Sequence, residues 1–497
     1  MKHLPWPIRL PRLQLLAITI FAMSLAAIDP APASADVARD IQAVLADPLL
    51  AKANVGLEVV RLGKNEGDVA LVCQSNSLMP LIPASNLKVI TTSAALDRLG
   101  ADFTFRTLLL KHNDDLVVIG DGDPTLGDAE MLKKVGWDVD TVFKAWAATL
   151  AKRHITSAAR LVVDDSVFDQ QLLHPNWPAD QYQDHYMAEV AGLNLNANCV
   201  NVFVQPTSPG RLVDVTFSPF TTYIKIKNSC LTGGDNAQLS RQPDGNDLTL
   251  RGTARIANIV PYAMTVHDPA LYAGTFLADT LKSSGISISG DVVRDRSMRA
   301  SYAQSLTTHD PSWTLLAVHE TPLASVISRA NKDSMNLYAE CICKRLGYAD
   351  TGQGTWATGT GAVAKFLTAL KISSDQFQLD DGCGLSKQNA ISANLMVKVL
   401  THDYFSKDSQ TWMGCLSVAG EDGTLLDRFH GFDLKGRVIA KTGFVNKVSC
   451  LSGYLHAKDD SWYCFSIMFN GIPDGTNSTA KILQEKIVHA IDVNAGK

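Results

Sequence analysis

The sequence predicts an α+β fold in which an antiparallel sheet flanked by helices is interrupted by a large β-rich insertion. Three patterns predict it. Helical spacing of apolar residues marks both ends of the chain, three adjacent β-like runs lie near the C-terminus, and a long middle stretch alternates short apolar runs with Pro, Gly and Asp clusters.

The first element is a leader. Lys2, Arg9 and Arg12 precede an almost wholly apolar stretch, 13–28, followed by Ala33-Ser34-Ala35. A basic lead, a short apolar core and a small-x-small site together predict a secretory signal peptide over residues 1–35, cleaved after Ala35. No later stretch is apolar over the roughly 20 residues a membrane span needs. The expected product is therefore a periplasmic or secreted protein with no transmembrane anchor once the signal is removed.

Residues 38–51 have helical spacing, 56–62 read as a strand, and 86–99 as a helix stopped by Gly100. From about 103 to 290 the runs 116–119, 160–163, 200–204, 212–217 and 222–226 read as strands between turns. Helical patterns dominate from about 311 until three late strands, 437–441, 448–455 and 462–469, and a closing helix over 478–492. The expected organisation is a main domain formed by 36–102 and 291–497, split by an inserted region, 103–290, of two subdomains.

Composition bounds the function. The chain has 497 residues, 46% of them hydrophobic and 19% charged, which suits roughly two to four packed domains. A net charge of −5 with no basic run argues against nucleic acid. Nine cysteines leave at least one thiol unpaired or paired between molecules; Cys199 and Cys230 flank a hairpin-like region and could be bridged, but connectivity is open. Cys341-Ile-Cys343 is too tight for a zinc hook, and no His pair stands at ligand spacing, so no metal is expected.

Chemistry enters at Ser85-Asn86-Leu87-Lys88, which opens a helix. A serine hydroxyl needs a base to become a nucleophile, and Lys88, one turn on, projects along the same face. The helix start also offers free N–H groups for a developing oxyanion. S-x-x-K alone is weak, and Ser478-Thr479-Ala480-Lys481 is a second match; a lone match is more often an N-cap serine with a surface lysine. Two further elements raise the first one. Ser334-Met335-Asn336 has the form S-x-N, with Ser392-Ala393-Asn394 as its decoy at a helix start, and Lys441-Thr442-Gly443 occurs once, on a late strand. This ordered set is that of penicillin-binding proteins and serine β-lactamases.

The chain resembles the class C low-molecular-mass penicillin-binding proteins, the D-alanyl-D-alanine carboxypeptidase/endopeptidases of bacterial peptidoglycan. Asp381-Gly382-Cys383-Gly384-Leu385-Ser386-Lys387-Gln388-Asn389 resembles that family's DGSGLSRxN, and Gly420–Thr424 with Arg428 resembles the segment before its K-T-G. The 249 positions from Ser85 to Ser334 resemble its large insertion, within which Asp164–Phe168, Trp177-Pro178 and Asn194–Asn196 match less specifically.

The resemblance implies a penicillin-binding/serine β-lactamase-like domain and a role for each residue. Ser85 would attack the penultimate D-alanine carbonyl, Lys88 would take its proton, and Ser334 would relay a proton to the leaving amine. Asn336 would hold the substrate amide, and Lys441 and Thr442 the terminal carboxylate. Gly443 would let substrate lie against the strand, and the N–H groups of Ser85 and Phe444 would form the oxyanion hole. Lys387, Asn446 and Asp164, or its neighbour Asp165, would line a pocket for the stem peptide's third residue. No cofactor is implied; stem peptides and β-lactams are the expected partners. Two departures stand out: Cys383 replaces a serine, and Lys387 replaces an arginine, losing a planar two-pronged grip on a carboxylate. A β-lactamase, another hydrolase of D-amino peptides and a non-catalytic peptidoglycan-binding scaffold are the alternatives. The first lacks a convincing glutamate loop for deacylation, and intact Ser85, Lys88 and Lys441 weigh against the last.

Overall fold

The computed structural model describes residues 32–496. Helix α1 (Pro32–Leu45) leads into strands β1 (Asn54–Leu62) and β2 (Ala70–Ser75) and then helix α2 (Leu87–Leu99). A second sheet follows, from β3 (Thr104–His112), β4 (Asp115–Ile119), β5 (Leu161–Asp164), β6 (Val292–Arg294) and β7 (Trp313–Pro322). The chain returns through helices α3 (Leu323–Lys332), α4 (Asn336–Thr351), α5 (Trp356–Ala369) and α6 (Ala393–Phe405) to the edge strand β8 (Ser417–Val418). Strands β9 (Val438–Val445), β10 (Val448–His456) and β11 (Trp462–Asn470) and helix α7 (Asn477–Asn494) close it.

The main sheet is antiparallel with strand order β2-β1-β11-β10-β9-β8. Its central strands are covered on both faces, which is why β10 and β11 read as near-continuous apolar runs. The period of two divides them between two cores. Cys450, Tyr454, Cys464 and Met468 pack with Leu87, Ile90, Leu337 and Met396 of α2, α4 and α6. Leu451, Leu455, Phe465 and Ile467 pack with Val37 and Ile41 of α1 and Leu483 and Ile487 of α7. Each such buried side chain contributes about 1.5–3 kcal/mol relative to exposure. Helix α2 is buried nearly all round and ends where the N–H of Gly100, at φ 85°, bonds the Leu96 carbonyl.

The five-stranded sheet, in order β6-β5-β4-β3-β7, corrects one expected boundary. Strand β6 runs parallel to β5, and β7 pairs with β3 from Trp313 opposite His112 to Pro322 opposite Thr104. Residues 291–322 thus join the sheet that begins at Thr104 rather than the main sheet. Strand β7 was hidden because it is only half-buried, so its apolar residues do not form a clean run. The region also holds two three-stranded sheets, one of Tyr262–Thr265, Cys199–Gln205 and Asp214–Ser218, the other of Gln238–Ser240, Asp247–Arg251 and Lys225–Asn228.

All nine cysteines are buried and unbridged, Cys199 and Cys230 included. The leader read over residues 1–35 lies, but for its last four positions, outside the described residues. Among the described residues no helix is long and apolar enough to cross a membrane.

Candidate active site

The site begins with a tight turn. Ala84 is buried at φ 47°, in the left-handed region that costs an L-residue about 1–2 kcal/mol, and it places Ser85 at the mouth of α2. Two glycines hold that turn from opposite sides. A Cβ on Gly384 would lie 1.9 Å from the Ala84 carbonyl oxygen, and one on Gly443 would lie 2.6 Å from that of Pro83. Neither position has room for a side chain. Asn86 ties the turn to the sheet, its Nδ2 donating to Ser452 Oγ at 2.7 Å.

Lys88 is fully buried one turn after Ser85. Its Nζ lies 2.9 Å from Ser85 Oγ, 2.7 Å from Asn336 Oδ1 and 2.9 Å from the Cys383 carbonyl oxygen. The Asn336 amide is oriented by its Nδ2, which donates to the Tyr186 carbonyl at 2.9 Å. Burial pushes the Lys88 ammonium below its ordinary range, partly opposed by Cys383, Asp381 and Glu340. A neutral amine has two N–H donors and one lone pair. The two carbonyl oxygens can only accept, so they take both donors and leave the lone pair for the Ser85 hydroxyl proton. That is the arrangement a general base requires.

Lys441 is also fully buried, its Nζ donating to Ser334 Oγ at 2.9 Å and to the Thr442 carbonyl at 2.8 Å. Burial first, and then the nearby Lys88 charge, push it well below the usual lysine range. Thr442 Oγ1 donates to Thr424 Oγ1 at 2.9 Å, which places the segment before the late strand beside it. Strand β8 pairs only with Ile439 and Ala440, so the β9 edge beyond Ala440 has no strand neighbour on that side among the described residues.

These elements open on a cavity of about 490 Å³ lined by Ser85, Ser334, Asn336, Lys387, Phe444 and Asn446, with Gly384, Leu385 and Val445. Of the residues singled out in the sequence, Lys88 and Lys441 are buried against Ser85 and Ser334. Gly443 does not face the cavity; its missing side chain makes room for the Ser85 turn. Asp164 is a correction: it is fully buried, its carboxylate accepting from Ser166 N at 2.7 Å and Arg299 N at 2.6 Å. Asp165 is likewise withdrawn, paired with Arg296 at 2.6 Å and Arg294 at 3.4 Å. Paired acids at the end of a strand cap a turn here and do not face substrate.

The inserted region instead contributes Pro178, Gln181 and Tyr186 to the cavity. The sequence pointed there only through Trp177-Pro178. Tyr186 Oη lies 2.8 Å from both Gln181 Oε1 and Asp184 Oδ2, and burial together with Asp184 raises its hydroxyl to about 12. Asp381 explains the block it opens: it accepts from Gly384 N, Ser386 N and Asn389 Nδ2, and from Trp177 Nε1 at 2.9 Å. The Cys383 thiol beside it is buried and held well above its ordinary range, so it stays protonated. Among the described residues Glu340, Asp381 and Cys383 bring potential metal donors within 4.8 Å of one another, but both carboxylates are already taken by N–H donors.

The chain is similar to several known proteins. A family model described as "D-Ala-D-Ala carboxypeptidase 3 (S13) family" matches residues 37–491. A D-alanyl-D-alanine carboxypeptidase of Actinomadura sp. (strain R39) is 31% identical over 491 residues, covering 92% of this chain and 86% of that protein. The D-alanyl-D-alanine carboxypeptidase DacB of Haemophilus influenzae is 24% identical over 440 residues, covering 84% and 87%. The crystal structure of penicillin binding protein 4 (dacB) from Haemophilus influenzae superposes with a TM-score of 0.72 at 22% identity, over 93% of this chain and 99% of that one, and shares the fold.

Proposed function

This chain belongs to the D-Ala-D-Ala carboxypeptidase 3 (S13) family of serine peptidases, and we propose that Ser85 is its nucleophile and Lys88 the base that activates it. The activity is D-alanyl-D-alanine carboxypeptidase. The observation that carries the residue assignment is the three-partner setting of Lys88 Nζ, which leaves its lone pair for the Ser85 hydroxyl.

Ser85 Oγ attacks the carbonyl of the penultimate D-alanine as its proton passes to Lys88. The N–H groups of Ser85 and Phe444 stabilise the oxyanion. Ser334, which accepts from Lys441, gives its hydroxyl proton to the leaving D-alanine amine and regains one from the Lys88 ammonium, so Lys88 is neutral again for deacylation. Asn336 steadies the substrate amide, while Thr442 and Lys441 take the terminal carboxylate. Water then attacks the acyl-enzyme, its proton returns through Lys88, and Ser85 is regenerated. A β-lactam presents the same amide and carboxylate, so it acylates Ser85 in the same way.

The substrate is the stem peptide of peptidoglycan. The same acyl transfer on a cross-link between two stems is DD-endopeptidase cleavage. The enzyme is exported through the leader over residues 1–35 and works outside the cytoplasm. Digestion of purified muropeptides with mass analysis tests this reading. Loss of one terminal alanine supports carboxypeptidase action, and conversion of dimers to monomers supports endopeptidase action. Unchanged muropeptides alongside rapid turnover of penicillin to the free hydrolysed product would favour a β-lactamase instead.

A further inference from the structure

The carbonyl that holds Lys88 is itself held from behind. Gly382 N and Cys383 N, the two amides leading to that carbonyl, both donate to the Glu340 carboxylate, at 3.0 Å and 2.7 Å. Trp356 Nε1 donates to its other oxygen at 2.6 Å. Glu340 is fully buried on α4, one turn after Asn336, which is the other acceptor of Lys88. One helix therefore supplies one Lys88 acceptor directly and braces the other through the 382–383 backbone.

We propose that Glu340 is a positioning residue for Lys88: by clamping the amides of Gly382 and Cys383 it aims the Cys383 carbonyl at Nζ and so directs the lysine lone pair at Ser85. This rests on the assignment of Ser85 and Lys88 above. A carboxylate suits the task because its two oxygens meet N–H donors from two directions, the loop and the indole. It also places a negative charge near the buried amine. The titratable groups around the pair are Asp381 and Cys383 on the loop, Cys341, Cys343 and Lys344 on α4, and Lys441 beyond Lys88. Burial and then Asp381 raise the Glu340 carboxyl to about 7, while its bonds to Cys383, Trp356 and Gly382 oppose the rise.

The sign of the electrostatic effect is fixed. Above about pH 7, where Glu340 is ionised, its negative charge favours the ammonium form of Lys88, so removing it lowers the pH at which Lys88 becomes neutral. Glu340→Gln also points an amide N–H at one of the N–H donors and loosens the loop. Glu340→Asp keeps the charge but withdraws it by one methylene.

The test is the rate of acylation by a labelled penicillin across about pH 5 to 10, for wild type and both variants, with folding checked by circular dichroism. Glu340→Gln is expected to lower the plateau about tenfold, as expected when a catalytic group is misaimed, and to move the acid limb to lower pH. Glu340→Asp is expected to lower the plateau similarly and leave the limb in place. A rate loss in Glu340→Gln without a moved limb, or a wild-type profile in either folded variant, would overturn the proposal. If the glutamine variant does not fold, the plateau of Glu340→Asp decides. Wild-type protein that takes no label on Ser85 would instead overturn the nucleophile assignment on which the proposal rests.

Discussion

Gly443 and Pro83 are packed so closely that a Cβ on the glycine would lie 2.6 Å from the proline carbonyl oxygen. Strand β9 and the turn carrying Ser85 are thereby set at a fixed separation, with Ser85 and Phe444 both lining the cavity. Gly443→Ala is expected to force the two apart. Overpacking of this kind costs about 1–3 kcal/mol, and misplacing the oxyanion donors should slow acylation about a hundredfold. Thermal unfolding and penicillin acylation measured together check it; an alanine variant matching the parent in both would show that the contact is not needed.

The base assignment predicts a large and selective loss. Lys88→Ala should reduce the acylation rate at least about a hundredfold, the low end of general-base contributions. Lys481→Ala, from the second S-x-x-K match within α7, should leave it unchanged. Equal losses in both would mean that helix packing has been read as chemistry.

A pH profile follows from the same lysine. Burial lowers its pKa, so the neutral, competent amine is present below the ordinary lysine value of 10.5. The acylation rate should rise with pH through the folded-state value, with its midpoint below 10.5. A limb centred at or above 10.5 would contradict the setting described for Lys88.

Lys387 is exposed at the cavity wall with Asn446 and is not among the hydrogen-bond partners of Lys88 Nζ, which are Ser85 Oγ, Asn336 Oδ1 and the Cys383 carbonyl oxygen. The role proposed for Lys387 is to meet a carboxylate on the side chain of the stem's third residue, such as that of diaminopimelate, by a point contact rather than a two-pronged one. Lys387→Ala should slow cleavage of a diaminopimelate peptide while barely changing acylation by penicillin or a small thioester, and Lys387→Arg should equal or exceed the parent. Equal slowing of all three substrates would make the residue structural.

Much of this was legible in the sequence because the chemistry is local. Ser85 and Lys88 are one turn apart, Lys441 and Thr442 share a strand, and β10 and β11 declare themselves by continuous burial. What escaped depended on distant packing. Tyr186 and Gln181 reach the cavity from an irregular segment without period or motif. Asp164 looked functional because an acid pair in a turn gives no sign of which backbone amides it will cap. Gly443 was read as a substrate-facing glycine, whereas the contact that requires it is with Pro83, 360 positions away. Glu340 carried no signal at all, since its partners are two backbone amides in a remote loop and the indole of Trp356 on the next helix.

The central claim is that Ser85 is the nucleophile. It is tested most directly by incubating the protein with a labelled penicillin and mapping the modified peptide. The account predicts one covalent adduct on Ser85, abolished in Ser85→Ala. A label on Ser478 or any other residue, or labelling that survives Ser85→Ala, would contradict it.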